Sequence, residues 1–298
     1  MKQKLPVEFI FLLLVGAFFL GVFVNQKFAA KSQVIPKEEN KTANNLEILQ
    51  EKVLPKNGYR FKINWGILGK KMIDDGVIDK VKLAKALTGK EILGANFDKY
   101  LNGSNQKEIE LNQENAQFWV DVLWGLGLAN KNPILESGPM AEGGNTANFA
   151  STGGWTIGAK SPMDLYSKFS YITLSESQQK IVAEIAGNIY RPCCGNSTAF
   201  PDCNHGMAAL GLIELMVAQN KSKEEIYKTV LAFNSYWFPQ TYLDIAYHFQ
   251  KSGRDYNKIP PQELLSKTFS SAMGYAVVRK EVGNLPWPLL QGGGSCGA

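Results

Sequence analysis

Residues 173–219 read TLSESQQKIVAEIAGNIYRPCCGNSTAFPDCNHGMAALGLIELMVAQ, two helical patterns separated by a turn-rich loop. Before the loop, Ile181, Val182, Ile185 and Ile189 recur at helical spacing, and Thr173-Leu174-Ser175-Glu176 fits a capping box. A helix is therefore expected from there to about residue 190. After the loop, residues 207–219 are apolar nearly all round, with Glu214 as the one charge. A helix without a polar face belongs in the middle of a core.

The loop itself, residues 192–206, holds three of the chain's four cysteines and one of its two histidines. Thiolate and imidazole are the side chains that bind zinc or copper and, for the thiol, exchange disulfides. The candidate metal ligands are Cys193, Cys194, Cys203 and His205, with Cys296 at the end of a glycine-rich C-terminal arm. Zinc or copper is the expected ion. Asp202 and Asn204 read as helix-capping groups or partners of the ligands. In a redox reading Cys193, Cys194 and Cys203 are the working thiols, and the dipole of the helix after His205 favours a thiolate. In a third reading the four cysteines form two structural disulfides. Direct closure of Cys193 on Cys194 is strained, so one of them joins Cys203 and the other Cys296.

Outward from this stretch, short helical patterns cover residues 65–75, 79–87 and 91–101, each ended by a glycine, Gly76, Gly89 and Gly103. Further helices are expected at 114–128, at 222–236 behind the capping box of Ser222 and Glu225, at 242–251 and at 261–269. No alternating strand pattern of useful length is present, so the fold is predicted to be mainly α, a multi-helix globular domain with a long Gly-rich loop at 129–161. That loop, pinned by Phe149 and Trp155, contains neither GxGxxG nor GK[ST], which excludes a nucleotide cofactor of those types. The absence of HExxH and of a nucleophile elbow argues against hydrolase chemistry. His248 falls on an amphipathic helix and reads as packing or surface.

At the N-terminus, residues 9–24 read FIFLLLVGAFFLGVFV, and residues 5–8 extend the run if Glu8 snorkels. The exit NQKFAA has no good cleavage site, so residues 5–24 are expected to stay as a transmembrane helix. The organisation predicted is an N-terminal membrane anchor at 1–30, a polar linker at 31–57 and a helical domain at 58–298. A long domain behind a lone N-terminal span is expected to be extracytoplasmic, in a single-pass protein of the cell membrane. The formal net charge of +5, part of it in Lys2, Lys4 and Lys27, is too mild for nucleic acid as a partner.

Residues 183–237 carry a resemblance. Cys193, Cys194 and Gly195, a short loop, an apolar helix, the turn Asn220-Lys221-Ser222-Lys223-Glu224-Glu225-Ile226 and a second helix ending in aromatics resemble the helical module of CcmH-type cytochrome c maturation thiol-oxidoreductases. Those proteins are membrane-anchored, carry a C-x-x-C ahead of a helical hairpin and handle apocytochrome thiols. The segment is also similar to small extracytoplasmic modules with a PCYCGC motif, associated with metal binding. Cys193 and Cys194 are adjacent where CcmH has two residues between, and Cys203 and His205 are additional. The resemblance implies a thiol role for Cys193 and Cys194 and a protein partner handling metal or thiols. The leading expectation is a membrane-anchored extracytoplasmic protein with a Cys/His transition-metal site for metal binding or delivery. The alternatives are a thiol-disulfide oxidoreductase of CcmH-like type and a disulfide-stabilised scaffold or interaction domain.

Overall fold

Two helices that meet backbone to backbone set the centre of the molecule. In the computed structural model, which describes residues 37–290, α4 and α6 cross where two glycines face each other. In chain order the main elements are α1 (Lys37–Val53), β1 (Tyr59–Phe61), α2 (Leu68–Asp74), α3 (Lys80–Thr88), β2 (Ile109–Leu111), α4 (Ala116–Ala129), α5 (Glu176–Gly187), α6 (Asn204–Ala218), α7 (Lys223–Trp237), α8 (Pro239–Lys251) and α9 (Ala272–Val282). A Cβ on Gly127 of α4 would collide with the Met207 carbonyl, and one on Gly211 of α6 would lie 2.7 Å from Leu123 O. Only residues without a side chain allow this approach, and it fixes the start of α6 against α4. From Phe118 to Ala129 every residue of α4 is buried, and so is every residue of α6 from Gly206 to Val217.

The mainly α prediction agrees with this architecture. Among the described residues the sheet is a single antiparallel pair, with Tyr59 opposite Leu111 and Phe61 opposite Ile109. Strands of three residues are too short to leave a period-2 pattern, which is why the sequence shows none. The capping box before α5 lies two residues later than predicted, with Ser175 as N-cap and Gln178 closing the box, and the helix ends at Gly187. Ser222 and Glu225 cap α7 as expected. The pattern at 91–101 yields only the turn Ala95–Asp98, and that at 261–269 splits into Pro261–Leu264 and Lys267–Ser270.

The chain divides into a unit ending at Leu46 and a unit starting at Glu47. In the second unit Leu49, Val53 and Leu54 are buried, so residues 47–57, read as linker, belong to the packed domain. The apolar run at 9–24 and Cys296 lie outside the described residues. Among the described residues no helix is long and apolar enough to cross a membrane.

The Gly-rich segment between α4 and α5 is folded onto the core. Trp155 is buried, its Nε1 donates to Val77 O at 3.0 Å, and its ring meets Trp124 edge-on. Glu214 holds the entry to this segment, accepting from Asn130 Nδ2 at 2.8 Å and Asn132 Nδ2 at 2.5 Å. Burial pushes the Glu214 carboxyl up to about 8, while the two amides pull the other way. Ser151 N donates to Asp202 O at 3.1 Å, so the Gly-rich segment also backs the cysteine loop.

Candidate metal centre

The cysteine loop is closed at its base by backbone bonds. Tyr190 and Ser197 form an isolated antiparallel bridge, and Thr198 N donates to Ile189 O at 2.8 Å. Its first arm turns at Pro192 and carries Cys193 and Cys194, while its second arm ends at Cys203, the N-cap of α6. The Cys194 carbonyl accepts from Ala272 N at 2.9 Å, which ties the turn to the start of α9. These restraints bring the Sγ atoms of Cys193, Cys194 and Cys203 within 4.8 Å of one another. Cys193 and Cys203 are 3.3 Å apart and all three thiols are free. An S···S edge of about 3.8 Å follows from four Zn–S bonds of about 2.3 Å in a tetrahedron, so the cluster is close to the size an ion requires.

Electrostatics at the cluster come from Arg191, a residue the sequence reading did not single out. Its side chain is only 1% exposed, and four hydrogen bonds satisfy it. Nε donates to Cys203 Sγ at 2.9 Å, Nη1 to Asn196 O at 3.1 Å, and Nη2 to Phe200 O at 3.0 Å and Asp202 Oδ1 at 2.6 Å. Asn196 Nδ2 engages the other Asp202 oxygen at 2.8 Å. Gly206 N adds a donor to Cys203 Sγ at 3.4 Å from the first turn of α6. A Cβ at Gly206 would overlap the guanidinium carbon. Nothing in the local sequence, Asn188-Ile189-Tyr190-Arg191-Pro192, marks this arginine as the organiser of the loop.

The charge this creates is unequal among the thiols. Hydrogen bonds from Cys193 and Cys194, with the adjacent guanidinium, hold the Cys203 thiol well below the usual range. The bonds Cys193 makes to Cys194 and Cys203 push its own thiol up. Ionisation is thus favoured at Cys203 over Cys193, and the thiols in turn favour the charge on Arg191, which burial opposes. The buried guanidinium thus faces both Cys203 and the Asp202 carboxylate, and such pairing is the condition for keeping charge in a protein interior.

His205, the second residue of α6, is not a member of the three-thiol group. Its ring centroid lies 4.4 Å from Phe238 and 5.7 Å from Trp237, and its Nδ1 is shut off from solvent with no hydrogen-bond partner among the described residues. Burial lowers its pKa to about 4, with Cys203 opposing and Arg191 assisting. Capping of α6 falls to Cys203 rather than to Asp202 or Asn204. Asp202 instead anchors Arg191 and Asn196, and Asn204 Oδ1 accepts from His205 N at 2.9 Å. His248 pairs with Glu281 at 3.0 Å, packs on Phe249 and Phe269, and is not part of the three-thiol group.

No known protein family, curated protein or solved structure matches the chain.

Proposed function

We propose that the chain binds a thiophilic transition-metal ion, zinc or copper, through Cys193, Cys194 and Cys203. The observation that carries this is the convergence of three free thiols within 4.8 Å. The donor set selects the class of ion. Sulfur favours zinc and copper over magnesium or calcium, and both oxygens of the nearest carboxylate, Asp202, are already engaged. Arg191 lowers the cost of gathering thiolates, as a hydrogen-bonding partner does for metal ligands generally. Cys193 is exposed, which gives an incoming ion or a delivering partner protein access to the site. In this proposal residues 5–24 tether the domain to the membrane, with the site on the extracytoplasmic side.

The test is metal content. Reduced, purified protein loaded with zinc or Cu(I) and freed of excess is expected to hold about one ion per chain by elemental analysis, and Cys203→Ser to hold none. Reduced wild-type protein that takes up neither ion sinks the proposal.

The 3.3 Å separation of Cys193 and Cys203 favours a second reading, thiol-disulfide exchange. Cys203 thiolate would attack a partner disulfide and release one partner thiolate. Cys193, losing its proton, would then displace the second, leaving a Cys193–Cys203 disulfide and a reduced partner. A trapped mixed disulfide in a protein that binds no metal is the result that favours this reading.

A further inference from the structure

His205 has a buried ring nitrogen that nothing among the described residues engages. Its Nδ1 is inaccessible to solvent and has no hydrogen-bond partner among the described residues, although His205 sits two residues past Cys203 at the start of α6. Buried polar atoms are almost always satisfied, and an orphaned one marks a place where a partner belongs. What holds the ring is an edge-on contact with Trp237 and a tilted one with Phe238, which fix no nitrogen.

We infer that His205 Nδ1 is the fourth ligand of the thiolate site, completing a closed Cys3His centre that retains zinc. This deepens the metal-binding reading and rests on it. Structural zinc is four-coordinate and tetrahedral, and the three thiols supply three of the four positions; no His205 nitrogen lies within 4.8 Å of all three Sγ atoms in this structure, so the ring must turn toward them to bind. Cα atoms two residues apart at a helix start are about 5 to 7 Å from each other. A thiolate and an imidazole from such positions reach one ion with bonds of about 2.3 and 2.0 Å.

The acidic alternatives are spent. Asp202 is held by Arg191 and Asn196. Glu214 is about 13 Å further along the helix axis, and it is occupied by Asn130 and Asn132. The aromatic wall of Trp237 and Phe238, at the junction of α7 and α8, then excludes water from the fourth position, which separates a retaining site from a catalytic one with an open coordination position.

The experiment uses the reduced full chain and zinc. Long-range proton–nitrogen correlation spectra of the two histidines are expected to show His205 Nδ1 moving on addition of one equivalent, with His248 unchanged. Cobalt replacing zinc is expected to give the strong visible bands of a tetrahedral site. In His205→Ala those bands shift and zinc affinity falls at least tenfold. One zinc bound with the His205 nitrogens unmoved, or with affinity unchanged in His205→Ala, overturns the inference and leaves the three-thiolate site standing. Uptake of Cu(I) but not zinc does the same, and uptake of neither overturns both. The spectra need only wild-type protein, so a variant that fails to fold does not block the test.

Discussion

Arg191 Nε donates to Cys203 Sγ at 2.9 Å from a position closed to solvent, and the same guanidinium binds Asp202 at 2.6 Å. The cation therefore joins two anionic groups on one arm of the loop and adds to the Cys193 and Cys194 hydrogen bonds that hold the Cys203 thiol below its usual range.

Replacing it tests both effects. Arg191→Met leaves Asp202 and Cys203 without their counter-charge and is expected to destabilise the fold by about 3 kcal/mol, as removal of one partner from a buried pair does. Denaturant unfolding measures this. Arg191→Lys should not rescue, because an ammonium cannot span Cys203, Asn196, Phe200 and Asp202 together. In both variants the pH at which Cys203 begins to react with iodoacetamide should rise. An unchanged alkylation profile would show that the guanidinium does not control the thiolate.

Gly206→Ala reaches the same arginine from the other side, since the new methyl overlaps the guanidinium. A loss of about 1 to 3 kcal/mol is expected, together with weaker metal binding, although no ligand is changed. Retained metal affinity at wild-type stability would mean that the loop tolerates a displaced Arg191.

Gly211→Ala forces a methyl to 2.7 Å from Leu123 O and 2.8 Å from Gly127 N, where neither helix can yield alone. Thermal unfolding is expected to show a loss of about 1 to 3 kcal/mol or more. Gly187→Ala serves as the comparison. Nothing lies within 4 Å of its added Cβ, and it should be neutral or stabilising by up to about 1 kcal/mol.

Asp121 gives the stability a pH dependence. Buried on α4, with the Gln117 amide as hydrogen-bond partner at 3.1 Å, its carboxyl is pushed up to about 7 by burial. The folded state therefore keeps a proton that the unfolded chain releases near pH 4. Its stabilising contribution is complete below about pH 4 and is lost as pH rises through 7. Asp121→Asn should flatten that decline and raise stability at pH 8 by at most about 4 kcal/mol, from about 1.4 kcal/mol per pH unit. Parallel wild-type and variant curves from pH 4 to 8 would contradict the assignment.

Among the described residues, much of the fold was legible before the structure. The unbroken apolar pattern of α6 identified it as central, and glycine stops and serine caps marked α3 and α7, because capping and amphipathicity are local properties that sequence records directly. Missed were α1, α9 and the β1–β2 pair, whose stability comes from what they pack against rather than from their own pattern. The early end of α5 was missed for the same reason.

The concentration of thiols was equally plain in the chain, since residue identity alone tells that Cys193, Cys194 and Cys203 bring soft donors to one loop. Their convergence was not. Spacing of one and nine residues leaves the Sγ atoms anywhere within the reach of a flexible loop. The bridge of Tyr190 with Ser197, the tie of Cys194 to α9 and the anchoring of α6 on α4 through Gly127 and Gly211 bring them within 4.8 Å. Arg191 was out of reach for the same cause. Its four acceptors lie between five and twelve residues away, and a single chain of letters carries no sign that they surround one guanidinium. Composition determined which chemistry is available; only the long-range backbone contacts decided which atoms meet, because a thiol's charge and ligand capacity depend on neighbours a few ångströms away in space.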